Sequence, residues 1–316
     1  MNNTFKRIGL FIRKDDPVLE TAVIQINEFL LSRELQVFCN EPISFLPGLE
    51  VISIAEFPSK CDLTIAIGGD GTMLSASRAL AGFDLPVVGV NVGRLGFLAD
   101  VTLNNLQSQL GRILDGQYRH DNRFLLQAHL NNAEDPISIA MNDVVVHSHQ
   151  SRHMIEFETH INGRFLNSQR ADGLVVATPT GSTAYAMSAG GPILDVDLDA
   201  VVLASVCPHT LSNRPLVIAA SSIIDITLSE NNITTAMVTC DGRPGHGGNI
   251  LDFNLASIKI PALVVHHVED GCVVTPVTGA RDIKAALTGS KAAELMEFTG
   301  GGSGKECGAT SHHGFL

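Results

Sequence analysis

The sequence predicts an α/β amino-terminal domain with a parallel sheet, followed by an all-β sandwich as the carboxyl-terminal domain. Up to about residue 120, short apolar runs alternate with segments whose apolar residues recur at helical spacing, which is typical of a parallel sheet flanked by helices. Beyond that point the apolar runs are short, β-rich and separated by turn residues, which favours an antiparallel arrangement. The length of 316 residues allows two separate hydrophobic cores.

The first part begins with the strand "FKRIGLFI" and continues with a helix that a proline opens. Apolar residues from Val18 to Leu30 recur every three or four positions in that helix, so one face of it is predicted to be buried. The remaining predicted strands cover 35–39, 63–67 and 86–92, and the remaining predicted helices cover 72–81 and 103–114. Strand and helix therefore alternate throughout this part.

The second part contains the runs "RFLLQAHL", "SIAMNDVVVH", "HMIEFETHI", "GLVVATP" and "PLVIAA". One segment, "TPTGSTAYAMSAGGP", interrupts them with small residues and a predicted short helix over 182–189, and small side chains let another molecule approach the backbone closely. We predict an α/β domain over 1–120, a β-sandwich over 121–260, and an atypical, partly disordered tail over 261–316.

Charge and cysteine content exclude several functional classes. Lys and Arg number 21 against 33 Asp and Glu, and a net charge of −12 provides no basic field for nucleic acid or an anionic membrane. The six cysteines include no CxxC pair, which favours free thiols in a reducing compartment. No segment reaches the ~18 uninterrupted apolar residues of a membrane span. We therefore expect a cytoplasmic protein without nucleic-acid or membrane partners.

The stretch "LTIAIGGDGTML" predicts a phosphate-binding turn between a strand and a helix. Gly68 and Gly69 allow a sharp turn whose N–H groups face phosphate oxygens, and Gly71 and Thr72 continue it into the helix. Asp70 is thereby presented at the carboxyl edge of the sheet, where ligands of such sheets bind. In the alternative interpretation, Asp70 only caps the helix.

Two further stretches contain groups suited to a nucleotide. Asn142 and Asp143 precede an apolar strand and offer a donor and acceptors for ribose hydroxyls or an adenine edge, although the same pair is common in turns. In "SQRADGLVVATPTGSTAYAMSAGGP", Arg170 is suited to an anion, Asp172 to a hydroxyl or carboxamide, and Tyr185 to stacking on a base. Hydroxyls of the same stretch, from Thr178, Thr180, Ser182 and Thr183, are further candidates for ligand contacts.

The motifs "GGDGTML", "VGRLGFL", "NDVVVH", "RADGLVVATPTGSTAYAMSAGGPI" and "CPHTLSNRPLVI" together resemble those of the bacterial NAD kinases, in the same order. This resemblance implies the two-domain fold and transfer of the γ-phosphate of ATP to the 2′-hydroxyl of the adenosine ribose of NAD, giving NADP. It also implies Mg²⁺ or another divalent metal as cofactor. NAD and ATP are the implied partners, and the implied assembly is a homo-oligomer, a dimer or a tetramer.

The resemblance also implies residue roles. Asp70 matches the proton acceptor, with Gly71 beside it at the NAD, and Asn142 and Asp143 match a pair that contacts the dinucleotide, where many relatives have Glu in place of this Asp. His153 matches a ligand-contacting position, although a histidine on a β-strand is more often structural. The other positions that match ligand contacts are Arg170, Asp172, Thr183, Ala184, Tyr185 and Ser188.

The resemblance ends after "VTCDG". There the family usually has Gln or His at a ligand-lining position, whereas this chain has Arg243, and the following residues match none of the family's final strands. A shifted reading frame or a fusion is one hypothesis for this segment. Two alternative functions stay open at this point. The GGDG loop is also found in lipid kinases, and the divergent segment is compatible with a catalytically impaired NAD(P)-binding protein.

Overall fold

The computed structural model of the chain describes residues 4–13, 17–93, 96–99, 101–130, 138–149, 153–210, 212–244 and 252–267. They divide into two compact units, one holding the described residues of 4–122 together with 261–267, and the other holding those of 123–260. The predicted disorder beyond residue 267 lies outside the described residues. Within the described part, no helix is both long and apolar enough to cross a membrane.

The first unit is built on a parallel sheet, as predicted. Its elements are β1 (Arg7–Phe11), α1 (Glu20–Ser32), β2 (Gln36–Cys39), β3 (Glu50–Val51), α2 (Phe57–Lys60), β4 (Leu63–Gly68), α3 (Asp70–Ala79), β5 (Val87–Asn91), β6 (Val101–Thr102) and α4 (Leu106–Leu114). The strand order is β3-β2-β1-β4-β5, with β6 beside β5, and every one of these pairings is parallel. All residues of β4 are buried, as expected for a central strand covered on both faces.

The helices of this unit pack through apolar faces. Helix α1 buries Ala22, Val23, Ile26 and Leu30, the three-and-four spacing visible in the sequence, against the core that it shares with β1, β4 and α4. Helix α3 begins two residues earlier than the predicted Thr72, because Gly69 is in an extended conformation and serves as the N-cap. Asp70 and Gly71 therefore lie in the first helical turn rather than in the loop.

The second unit is a sandwich of antiparallel sheets. Its elements are β7 (Tyr118–Leu130), which begins just before the unit, β8 (Ser138–Ala140), β9 (Asp143–Ser148), β10 (Ile155–Ile161), β11 (Arg164–Ala171), β12 (Gly173–Ala177), α5 (Tyr185–Ser188), β13 (Ala200–Val206), β14 (Leu216–Ala219), β15 (Ile223–Leu228), β16 (Ala236–Cys240), β17 (Arg243–Pro244) and β18 (Asp252–His267), whose residues beyond 260 belong to the first unit. One sheet has the order β11-β10-β15-β18, the other has the order β14-β13-β12-β9-β16-β17, and β7 pairs with β8.

The six-stranded sheet has two apolar faces. Val144 and Leu174 face inward and pack with Phe157 of the other sheet in the sandwich core. Their neighbours Val145 and Val175 point to the opposite face, because side chains alternate along a strand, and pack with Ala186 of α5. The segment with α5 therefore covers the outer face of this sheet.

Candidate active site

The glycine turn after β4 has the close packing expected of a strand-to-helix junction. Gly68 has a φ of +152°, and a Cβ there would collide with the side chain of Thr72. A Cβ on Gly69, the N-cap of α3, would meet no other atom within 4 Å. Gly68 is therefore required by the fold, whereas the face of the turn at Gly69 is open to a ligand.

The Asp70 carboxylate is held by backbone amides of the segment that follows β5. Oδ2 accepts from the N–H of Phe97 at 2.9 Å, and Oδ1 accepts from the N–H of Leu98 at 3.1 Å. A Cβ on Gly96 would overlap the same carboxylate, so only glycine allows this approach. The helix-capping interpretation of Asp70 is wrong, since Gly69 is the N-cap and no side chain caps this helix.

Arg13, just beyond the end of β1, places a cation beside the glycine turn. Its Nη1 lies 3.3 Å from the position that a Cβ on Gly71 would take. Since β1 and β4 are parallel neighbours, their carboxyl ends lie at the same edge of the sheet. Arg13 could not be predicted from the sequence, because its proximity to the turn depends on the strand order.

In the second unit, the start of β9 presents Asn142 and Asp143. Thr178 holds this backbone in place: its N–H donates to the Asn142 carbonyl at 2.9 Å, and its hydroxyl donates to the Met141 carbonyl at 2.6 Å. The Oδ1 of Asn142 is buried and has no hydrogen-bond partner among the described residues. A buried acceptor of this kind is suited to a donor group on a ligand.

Asp143 is a buried carboxyl group next to a second one. Its residue exposure is 5%, and burial, followed by the negative charge of Asp241, raises the pKa of Asp143 to about 7. Such a shift is typical of functional sites, where a carboxyl group titrates near neutral pH. Asp143 can therefore act as an acceptor or, when protonated, as a donor.

Tyr185 lies at the start of α5, close to several other candidate residues. Its pKa is raised by burial first, and then by the charges of Cys207, Asp172 and Asp143. Tyr185 therefore lies within electrostatic range of Asp172 and Asp143. Tyr185 is nevertheless 44% exposed, so its ring is accessible for stacking. Cys207, which is also exposed, was not among the candidates.

Three hydroxyls that the sequence suggested as ligand groups are bonded inside the protein. Thr178 accepts from the N–H of Gly181 at 3.1 Å, in addition to the bond that its hydroxyl donates. Ser182 donates to the Pro179 carbonyl and accepts from the N–H of Leu194. These assignments are corrected to structural roles, because both residues are almost fully buried.

The third of these hydroxyls, that of Thr180, accepts from a buried arginine. The distance between Nη1 of Arg123 and Oγ1 of Thr180 is 3.0 Å, and Arg123 is only 3% exposed. Arg123 stands in a predicted strand without any motif, so its role has no signal in the sequence. It supports the loop that leads to Tyr185.

The other predicted contact residues of the second unit are half-buried or exposed, and the hydroxyl of Thr183 donates to the Thr180 carbonyl at 3.2 Å. Thr183 and Ala184 lie between the buried turn at 180–182 and α5, and Ser188, at the end of α5, is exposed. Arg170 is exposed and its carbonyl accepts from the N–H of His209 at 2.7 Å, which links two of the motifs. His153 is exposed before β10, and among the described residues no hydrogen bond or ion pair joins it to the other candidates.

Within the described part of the chain, no group of three or more His, Cys, Asp and Glu side chains is arranged to hold a metal ion. Mg²⁺ in phosphoryl-transfer sites is bound mainly through substrate phosphates together with one or two carboxylates. Oxygen donors such as Asp70 fit that mode of binding.

Comparisons with known proteins identify the family. The model of the ATP-NAD kinase N-terminal domain matches residues 49–118, and that of the ATP-NAD kinase C-terminal domain matches residues 141–247. The NAD kinase of Nitrosococcus oceani is 50% identical over 250 residues, which cover 78% of this chain and 85% of that protein. The chain belongs to the ATP-NAD kinase family. The C-terminal match ends close to Arg243, where the motif resemblance also stops.

Other members of the family agree with this assignment. The NAD kinase of Azotobacter vinelandii is 45% identical over 244 residues, covering 76% of this chain and 83% of that protein. Among solved structures, yeast NADH kinase complexed with NADH has a TM-score of 0.75 at 25% identity, covering 91% of this chain and 88% of that one. An NAD kinase from Archaeoglobus fulgidus in complex with ATP has a TM-score of 0.67 at 25% identity, covering 83% and 94%. These relatives do not favour the lipid-kinase alternative.

Proposed function

We propose that this protein transfers the γ-phosphate of ATP to the 2′-hydroxyl of the adenosine ribose of NAD, giving NADP. Membership of the ATP-NAD kinase family makes it an ATP-dependent kinase of NAD. The observation that carries the assignment is that the matches to both family domains include the candidate residues, Asp70 in the first unit and the Asn142–Asp143 pair in the second.

In this proposal Asp70 accepts the proton of the 2′-hydroxyl. Its two oxygens accept one backbone N–H each, which orients the carboxylate and leaves each oxygen able to accept a further hydrogen bond. Phosphoryl transfer depends mainly on positioning and charge stabilisation, so a carboxylate that takes the proton late in the reaction is a sufficient base.

The second unit contributes the dinucleotide contacts. We assign the base to the ring of Tyr185, and we assign hydroxyl or amide groups of NAD to Asn142, Asp143 and Asp172. The buried Oδ1 of Asn142, which has no hydrogen-bond partner among the described residues, supports its role. The charges of Asp172 and Asp143 act on Tyr185, which supports the roles of these three residues. Further contacts are assigned to Gly71, His153, Arg170, Thr183, Ala184 and Ser188.

The glycine turn is assigned to the phosphate groups. The open face at Gly69 and the nearby guanidinium of Arg13 support this role. We further propose Mg²⁺ or another divalent metal as cofactor, which the substrate phosphates together with the carboxylate of Asp70 would hold. When bound, such an ion neutralises charge on the phosphate oxygens.

The protein is proposed to act as a cytoplasmic homo-oligomer. Strand β11 supports assembly, because it is a long edge strand of its sheet and exposes the apolar side chains of Phe165 and Leu166. Cys39, Cys61 and Cys240 are buried and form no disulfide, which supports a reducing compartment. Light scattering coupled to size-exclusion chromatography tests the oligomer, since a monomeric mass would contradict it.

A coupled assay tests the activity directly. NADP formed from NAD and ATP is measured with an NADP-specific dehydrogenase, and diacylglycerol is offered as the competing acceptor. We expect NADP formation that requires both ATP and a divalent metal, and no phosphorylation of the lipid. A protein that binds NAD in calorimetry but forms no NADP would instead be the impaired NAD(P)-binding protein.

A further inference from the structure

The hairpin between β16 and β17 has a two-residue turn, Asp241-Gly242. Cys240 pairs with Arg243 across it, and both turn residues have positive φ values, +50° and +68°. This is the pattern of a type I′ turn, which Asp-Gly sequences favour in hairpins. The left-handed conformation directs the Asp241 carboxylate toward the neighbouring strand β9.

That carboxylate accepts hydrogen bonds from three successive backbone N–H groups. Oδ2 accepts from Met141 at 3.1 Å, and Oδ1 accepts from Asn142 at 2.7 Å and from Asp143 at 3.3 Å. In the reverse direction, the N–H of Asp241 donates to the Asp143 carbonyl at 2.9 Å. The turn therefore anchors the backbone from which Asn142 and Asp143 project.

This arrangement has an electrostatic cost. Burial of the Asp143 carboxyl and, after it, the negative charge of Asp241 raise the pKa of Asp143 to about 7. An asparagine at position 241 would relieve the repulsion, but it has one acceptor oxygen where the anchor uses two. Both oxygens of the Asp241 carboxylate are thus used in hydrogen bonds, and its negative charge acts on Asp143.

We propose that Asp241 is a positioning residue for NAD, which aligns Asn142 and Asp143 through these backbone hydrogen bonds. The proposal rests on the function assigned above. Asp241 itself is not required to contact the dinucleotide, because its effect is transmitted through the start of β9.

The other titratable groups around Asp143 set the background for the test. Tyr185, from α5, interacts with Asp143 electrostatically. On the neighbouring hairpin, Cys240 is buried at the end of β16 and Arg243 is exposed at the start of β17. None of these groups is altered when Asp241 is replaced, so a change in the titration of Asp143 reports on Asp241.

The experiment compares Asp241→Asn, Asp143→Asn and the double variant by kcat, KM for NAD, and the pH dependence of kcat/KM. We expect Asp241→Asn to raise KM about 10-fold with a smaller effect on kcat, and to move the inflection near pH 7 to lower pH by about one unit. In Asp143→Asn the inflection should be absent, and the double variant should not restore it. Glu158→Gln, on the exposed side of β10, is the matched control and should change none of these quantities.

A merely structural role would lower the melting temperature without moving the inflection, and that result would overturn the proposal. If Asp241→Asn does not fold, Asp241→Glu keeps the charge while displacing both oxygens, so it should raise KM and leave the inflection in place. An unchanged KM in Asp241→Glu would also overturn it.

Calorimetric titration with NAD separates this proposal from the proposed function. Wild-type protein that binds NAD without forming NADP would contradict the kinase assignment alone. An Asp241→Asn variant that binds NAD with wild-type affinity and wild-type pH dependence would contradict the positioning role alone.

Discussion

Asp70 is held by two backbone amides, and a neutral side chain of the same shape can keep at least one of them. Asp70→Asn therefore preserves the glycine turn while removing the base and its charge. We expect kcat to fall by ~10²–10⁴, the usual contribution of a positioned acid–base group, with NAD affinity and melting temperature close to wild type. Steady-state kinetics, calorimetry and thermal melting on this variant test the role.

Near-wild-type turnover in Asp70→Asn would remove this residue from the mechanism. A large fall in melting temperature would instead indicate that the carboxylate mainly holds the segment with Phe97 and Leu98. The two outcomes are separable because one is a property of turnover and the other of the folded protein.

Tyr185 presents a half-exposed ring in the second unit, which is the arrangement needed for stacking on a base. Tyr185→Ala should weaken NAD binding by about 1–3 kcal/mol, the range for a base stacked on an aromatic ring. Tyr185→Phe is the matched control and should retain most of the affinity, since it keeps the ring. If the NAD dissociation constant were the same in the alanine variant, Tyr185 would be assigned to packing.

The sequence predicted which residue types take part in the candidate site, but not which groups they contact. The carboxylates and the tyrosine were predicted because their chemistry suits a nucleotide. Phe97 and Leu98, whose amides bind Asp70, lie far from it in sequence. Arg123, which binds Thr180, is also far from that residue. The hydroxyl of Ser182 was misassigned because a serine in a small-residue segment has the same pattern whether it faces a ligand or the interior.

The segment following β5 illustrates how an element positions a functional group. Gly96→Ala would place a methyl group on the Asp70 carboxylate, forcing the side chain or the segment to move. A displacement of about 1 Å at a reacting group costs ~10²-fold, so we expect a fall in kcat of that order. Gly93→Ala is the control, because a Cβ there meets nothing within 4 Å.

Kinetics on the Gly96→Ala, Asp70→Asn double variant check the cause. If the glycine acts through Asp70, the double variant should be no slower than Asp70→Asn alone, because effects within one unit are not additive. Fully additive losses would show that Gly96 acts elsewhere.

Elements were predicted better than their ends. The parallel order of the first unit follows from alternation of strand and helix, and the sandwich follows from short β-rich runs. The start of α3 was placed at Thr72 because two glycines and an aspartate look like a loop, whereas the extended Gly69 lets the helix begin at Asp70. The Asp241-Gly242 turn has a hairpin signature, but its contact with β9 depends on strand order.

The stability of the second unit depends on the core that its sheets share. Phe157 is 1% exposed within that core, so Phe157→Ala should lower the free energy of unfolding by about 3–5 kcal/mol. Ile233, in the turn before β16, is 86% exposed, and Ile233→Ala should lower the free energy of unfolding far less. Denaturant unfolding of both variants measures the difference, and equal losses would contradict the assignment of the core.

The internal hydrogen bonds of Thr178, Thr180 and Ser182 have a consequence for the thermodynamics of ligand association. Because these hydroxyls are already bonded within the protein, the backbone leading to Tyr185 is ordered when the chain folds rather than when NAD arrives. Binding to such a preorganised surface loses little conformational entropy at that segment. In the proposed binding mode, the free energy of the contacts made there is then available for affinity and for orienting the dinucleotide.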